Sequence, residues 1–179
     1  MILAEQTLVF LPDYRYFVVR DRASDADDGA GDALIVAGRQ VCGSSGYGVY
    51  VVVAQDLLRI HAALQVWDGT PDPPGGGWHA SAHLALDCPE GPLLLGSPTG
   101  GAVVVADLPA GPGRYGVEVL DAGRADAVAA LERLGPDLDR LPTPEARQLL
   151  DHFAGVERYQ VRVWREAGLP EGDCVDAED

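Results

Sequence analysis

Between residues 58 and 67 the side chains alternate. Ile60, Ala62, Leu64 and Val66 fall on one side, and Arg59, His61, Ala63, Gln65 and Trp67 on the other. A period of two belongs to a half-buried β-strand, because successive Cβ atoms point to opposite faces of a sheet. Residues 78–87 repeat the pattern, with Trp78, Ala80, Ala82, Leu84 and Leu86 set against His79, Ser81, His83, Ala85 and Asp87. Shorter β-rich runs lie at 7–11, 14–20, 33–37, 47–54, 101–108 and 114–120, punctuated by Gly, Pro, Ser and Asp.

Helical spacing begins only after residue 123. Val128, Leu131 and Leu134 mark a helix over 125–134, which Gly135-Pro136 stops. Thr143-Pro144-Glu145 supplies a cap, an N-terminal Pro and an early acid for a second helix over 146–153, with Gly155 as its C-cap. The chain returns to β at 158–164, RYQVRVW, which echoes RYGVEV at 114–119. These patterns predict a mainly β fold: an antiparallel β-sandwich of about eight or nine strands, with two short helices before the last strand. Residues 1–166 form the expected domain, with 123–155 as its helical insertion. Residues 167–179 form an acidic tail expected to be disordered.

The 179 residues include 28 acidic and 13 basic ones, for a formal charge of −15 and a pI near 4.4. That field repels phosphates, so nucleic acid and anionic membrane surfaces are poor partners and a basic protein is a good one. Residues 21–32 and 166–179 carry ten of the fifteen net negative charges. Every basic residue is Arg, and Lys and Asn are absent. This removes Schiff-base and phosphate-loop lysine chemistry, and fits a GC-rich bacterial, actinobacterial-type coding sequence. The N-terminus lacks a basic, then apolar, leader pattern. No apolar run approaches the ~18 residues of a membrane span. Three cysteines, Cys42, Cys88 and Cys174, leave at least one thiol free, as a reducing cytoplasm allows.

Motifs for chemistry are sparse. His79 and His83 are four apart, but in a strand that spacing is ~13 Å, too far for one metal. Gly43-Ser44-Ser45-Gly46 lacks the spacing of a nucleophile elbow and the Gly-Lys-Ser/Thr ending of a phosphate loop. No His is placed beside Cys42 by the sequence. We therefore assign no catalytic residue, metal or cofactor, and expect a non-enzymatic protein. Trp67 and Trp78 bracket a Pro/Gly loop at 68–77, expected to be a hairpin-like connection with aromatic rings at its base. The expected partner-binding residues are Asp21, Asp25, Asp27, Asp28, Asp32, Trp67 and Trp78. An alternative is a small-molecule or hydrolytic pocket formed by His61, His79, His83 and Trp67; a further one is an accessory structural domain.

Residues 8–20, the turn DLPAGPGRY at 107–115 and the closing strand RYQVRVW together resemble the bacterial competence-associated nuclease-inhibitor family of small β-sandwich proteins. The resemblance implies a β-sandwich that acts by binding a nuclease. It carries over no individual site residue, and the helices at 125–134 and 146–153 and the acidic tail depart from it. The expectation is a cytoplasmic immunity or inhibitor protein for a basic toxin or nuclease.

Overall fold

The alternating runs build two sheets that share one apolar core. A computed structural model describes residues 1–24, 29–81, 83–138 and 140–166. The first sheet runs β1 (Ile2–Phe10), β5 (Ile60–Trp67), β11 (Arg158–Arg165), β10 (Gly113–Ala122), with β6 (His79–Ala80) and β7 (Leu84–Cys88) both paired to β10. The second is antiparallel throughout, in the order β3 (Cys42–Ser44), β4 (Gly48–Val52), β2 (Tyr16–Asp21), β8 (Leu93–Gly96), β9 (Val103–Ala106).

Three helices accompany the sheets: α1 (Ala30–Gln40), α2 (Arg124–Leu138) and α3 (Thr143–Asp151). The core joins Phe17, Val19, Val49 and Leu95 of the second sheet to Leu64, Val117, Val119, Tyr159 and Val161 of the first. The Phe17 ring meets Tyr159 edge-on at 5.3 Å, bridging the two sheets.

Four expectations are corrected. The first sheet is mixed, since β11 pairs parallel with β5 while antiparallel to β10. The α2–α3 excursion lets the chain re-enter between two strands already in place. Residues 33–37 are helix, not strand. Ala33 and Ala37 lie one turn apart and pack, with Leu34, on Tyr16, Val18, Tyr50 and Val52 of the second sheet's outer face. Small residues let α1 sit close: a Cβ on Gly43 of β3 would stand 2.3 Å from the Ala33 carbonyl oxygen.

The run 78–87 is also broken. Ala80 opposes Leu120 and Leu84 opposes Val117, so four steps on one strand match three on β10. This one-residue offset in register reverses the facing. Leu84 and Leu86 join the core, whereas Trp78 and Ala80 turn to the outer face. Finally, α2 continues through Gly135-Pro136 to Leu138. Pro136, in the last turn, lacks the N–H that would bond to the Glu132 carbonyl, and the helix ends two residues later.

The turn at 107–115 is held from its far end. The Tyr115 hydroxyl donates to the Gly111 carbonyl at 2.5 Å, and Arg165 donates to the Gly111 and Ala110 carbonyls. Tyr115 thus ties the β9–β10 connection to the strand it precedes, as tyrosine corners do in other two-sheet proteins.

Candidate functional site

The loop at 68–77 is not a hairpin. It leaves β5 and reaches β6 beyond β11 and β10, so it crosses both strands on the outer face of the first sheet. Beneath it the strand register sets Glu5, Gln65, Arg162 and Glu118 side by side across β1, β5, β11 and β10. Gln65 Nε2 donates to Glu5 Oε2 at 3.0 Å, and Arg162 Nη1 lies 3.4 Å from Glu118 Oε2.

Arg162 is buried and also donates to the Asp72 carbonyl of the loop at 2.9 Å. Its guanidinium lies 5.6 Å from the centre of the Trp67 ring, and that of Arg158 5.5 Å from the centre of Trp78. The loop is therefore a strap, with a cation–π contact at each end and one charged anchor in the middle. Among the described residues its interior, 69–77, makes no backbone–backbone hydrogen bond.

Removing that anchor should loosen the strap. Arg162→Gln is expected to raise the population of strap-open molecules by roughly ten- to a hundredfold, from the ~1.5–3 kcal/mol of a charge-assisted hydrogen bond. The measurement is the rate of native-state proteinase K cleavage within 68–77, located by mass spectrometry; an unchanged rate contradicts the anchor.

The structure separates the residues proposed for partner binding. Asp21 is fully buried, its carboxylate accepting the backbone N–H groups of Ala23 (2.8 Å), Glu90 (3.0 Å) and Gly91 (2.9 Å). It pins the β7–β8 turn to the end of β2 and presents no charge to a partner, which corrects its assignment to the surface. Asp25, Asp27 and Asp28 lie outside the described residues. Asp32 is exposed in the first turn of α1, on the outside of the second sheet. Trp67 and Trp78 lie on the outside of the first sheet, the opposite side of the molecule.

The histidines do not share one cavity. His61 sits opposite Arg158 at the start of β11. His83 stacks on Trp164 near the end of that strand, at 5.2 Å and 19°, and its Nε2 lies 3.0 Å from Glu166 Oε1. Six residues of strand, roughly 20 Å, separate the two places. His79 is exposed on β6, opposite Asp121.

Burial raises the Asp121 carboxyl above its ordinary value, against the lowering charges of Arg124 and His79. Burial also pushes the Cys42 thiol up, and the Cys88 thiol up to about 12, so both stay protonated near neutrality. Cys174 lies outside the described residues. Among the described residues no group of three or more His, Cys, Asp or Glu could hold a metal ion, and no helix is long and apolar enough to cross a membrane.

A buried polar network escaped the sequence reading. Glu157, just before β11, is fully buried and accepts from Ala54 N (2.7 Å), Gln55 Nε2 (3.0 Å) and the Tyr159 hydroxyl, with Arg124 Nη1 at 3.6 Å. Gln55 in turn accepts the N–H groups of Leu57 (2.9 Å) and Leu58 (2.6 Å). Burial, then the charge of Glu157, drives the Tyr159 hydroxyl far above its ordinary range, so it acts as a donor. The network fixes the β4–β5 turn, burying Leu58 against α2 and leaving Leu57 in solvent.

No protein-family model matches the chain, and no curated protein sequence is significantly similar to it. Solved structures share its fold. The crystal structure of ComJ from Bacillus subtilis, an inhibitor of the DNA-degrading activity of NucA, superposes with a TM-score of 0.58 over 93% of this chain and 99% of ComJ, at 11% identity. A structure described as crocagin biosynthetic gene J superposes with a TM-score of 0.51 over 92% of this chain and 97% of that one, at 14% identity. The resemblance read from the strands and the 107–115 turn thus extends to the whole fold.

Proposed function

We propose that this chain is a non-enzymatic β-sandwich protein that binds and inhibits a basic protein partner, a toxin or a nuclease, in the cytoplasm. The likeness in fold to a nuclease inhibitor, spanning nearly all of both chains, supports the reading most directly. Charge supports it independently: a formal −15 steers a basic protein toward the surface and repels its nucleic acid substrate. The separation of His61 from His83 weighs against the small-molecule pocket.

Affinity capture from the native lysate tests the proposal, run at low salt and at physiological ionic strength, where the Debye length is about 8 Å. The expected result is one stoichiometric basic protein, identified by mass spectrometry, whose capture weakens as salt rises. An empty column at both salts would overturn the proposal.

A further inference from the structure

At one end of the fold, the turns preceding β2 and β5 meet α3. Leu11 and Leu57 both stand in solvent there, although each adjoins a buried residue, Phe10 or Leu58. Between them lies a cleft of about 310 Å³ lined by Leu11, Leu57, Arg59, Arg147, Leu150 and Asp151. Leu11 and Arg59 also line a second depression, of about 340 Å³, that reaches Asp13 and Ser97.

Beside it the backbone is strained. Tyr14 and Arg15 are consecutive non-glycine residues in the left-handed region, with φ of 56° and 63°. Three tethers hold them. The Asp13 carboxylate accepts from the Ser97 hydroxyl (2.5 Å) and the Thr99 hydroxyl, bonds that keep its carboxyl below the ordinary range and hence ionised. Arg15 donates to the Ala54 carbonyl at 2.6 Å, and Val53 N donates to the Arg15 carbonyl at 2.9 Å. What these bonds support is a tyrosine 80% exposed to water. Strain that presents a tyrosine to solvent, on a turn that also carries arginine, supplies two of the residue types enriched in interface hot spots.

The lining of the first cleft is opposite in charge to the molecule as a whole. Arg59 lies 3.6 Å from Asp151, whereas Arg147 has no ionic partner among the described residues. The cleft thus carries two guanidinium groups and one carboxylate, in a chain of net −15. A polyphosphate would meet the repulsive overall field and gain nothing from three leucines. A carboxylate attached to an apolar group gains from both.

We infer that this end, with Leu11, Tyr14, Leu57 and Arg147, docks a segment of the protein partner that carries a carboxylate beside a large apolar side chain. The inference rests on the protein-binding function proposed above. The apolar side chain enters between Leu11, Leu57 and Leu150, and the carboxylate pairs with Arg147. In a partner that is basic overall, this acidic point fixes the docking register.

The test uses the full chain labelled with ¹⁵N, titrated with the capped peptide Ac-Leu-Glu-Leu-Glu-NH2, with Ac-Leu-Arg-Leu-Arg-NH2 and with inorganic phosphate. The acidic peptide should shift the Arg147 side-chain signal and the Leu11, Tyr14 and Leu57 amides saturably. It should bind about tenfold more tightly than the arginine peptide, and Arg147→Glu, an exposed change on α3, should abolish that preference. Shifts located elsewhere, equal binding of the arginine peptide, equal response to phosphate, or no effect of Arg147→Glu would each overturn the inference. Capture of the partner unaffected by Arg147→Glu and Tyr14→Ala would leave the protein-binding function standing and remove this surface. Peptide binding here without any captured partner would do the reverse.

Discussion

Glu157→Ala is expected to lower the free energy of unfolding by about 3–5 kcal/mol, because it breaks a buried ion pair from one side. The wild-type carboxylate is fully buried and serves Ala54 N, Gln55 Nε2, the Tyr159 hydroxyl and Arg124 together. Without it, Arg124 keeps its bond to the Val52 carbonyl at 2.7 Å but loses its ion-pair partner, and the Ala54 N–H is stranded. Glu157→Gln retains one acceptor and the side-chain shape, so its cost should be smaller, about 1–2 kcal/mol. Urea unfolding followed by tryptophan fluorescence measures both. A loss below 1 kcal/mol for the alanine variant would mean that the network is not the keystone of this end.

Gly123→Ala should be comparably damaging for a different reason. Gly123 joins β10 to α2 with φ of +74°, and a Cβ there would stand 1.9 Å from the Val156 carbonyl oxygen. The left-handed conformation penalises any side chain, and the obstacle is backbone, which cannot rotate aside. Together these effects should cost about 3 kcal/mol or more. Gly38, inside α1 with nothing within 4 Å of its notional Cβ, is the control. Gly38→Ala should stabilise by about 0.5–1 kcal/mol through helix propensity. Thermal unfolding of the two variants should move in opposite directions; a neutral Gly123→Ala would refute the close approach.

Period-two patterning carried most of the sheet architecture. The alternation at 58–67 becomes β5 with Ile60, Ala62, Leu64 and Val66 in the core. The two Arg-Tyr-x-Val-x-Val runs become adjacent strands, and both tyrosines are buried. The features that escaped it are non-local. Ala33–Ala37 is a short apolar run that suits a strand or a helix, and the room for the helix is left by the missing Cβ of Gly43, which lies outside that local pattern. Nothing local distinguishes a hairpin from a strap that crosses two strands, because the choice depends on β11 arriving about 80 residues later. The one-residue register offset between β6 and β7 reverses the faces of an alternation that is unbroken in the sequence.

The polar groups follow the same logic. Asp21 reads as one acid among many in residues 21–32, yet its partners, Glu90 and Gly91, are distant in sequence. Glu157 sits in an ordinary Gly-Val-Glu-Arg-Tyr stretch, and its burial is decided by Ala54, Gln55 and Arg124. Tyr14 and Arg15 adopt a glycine-like conformation with no glycine to announce it. Composition, by contrast, located the negative charge but not a surface: of the five acids at 21–32, one is buried and one stands on α1.

Inhibition by binding is the central claim, and a stoichiometric titration of the captured partner measures it most directly. DNA-degrading or toxic activity of that basic protein would be followed at fixed concentration while this chain is added at low salt. Activity should fall linearly to zero at one equivalent, and raising the salt should slow the onset of inhibition. Undiminished activity in excess chain, with the complex formed, would contradict the account.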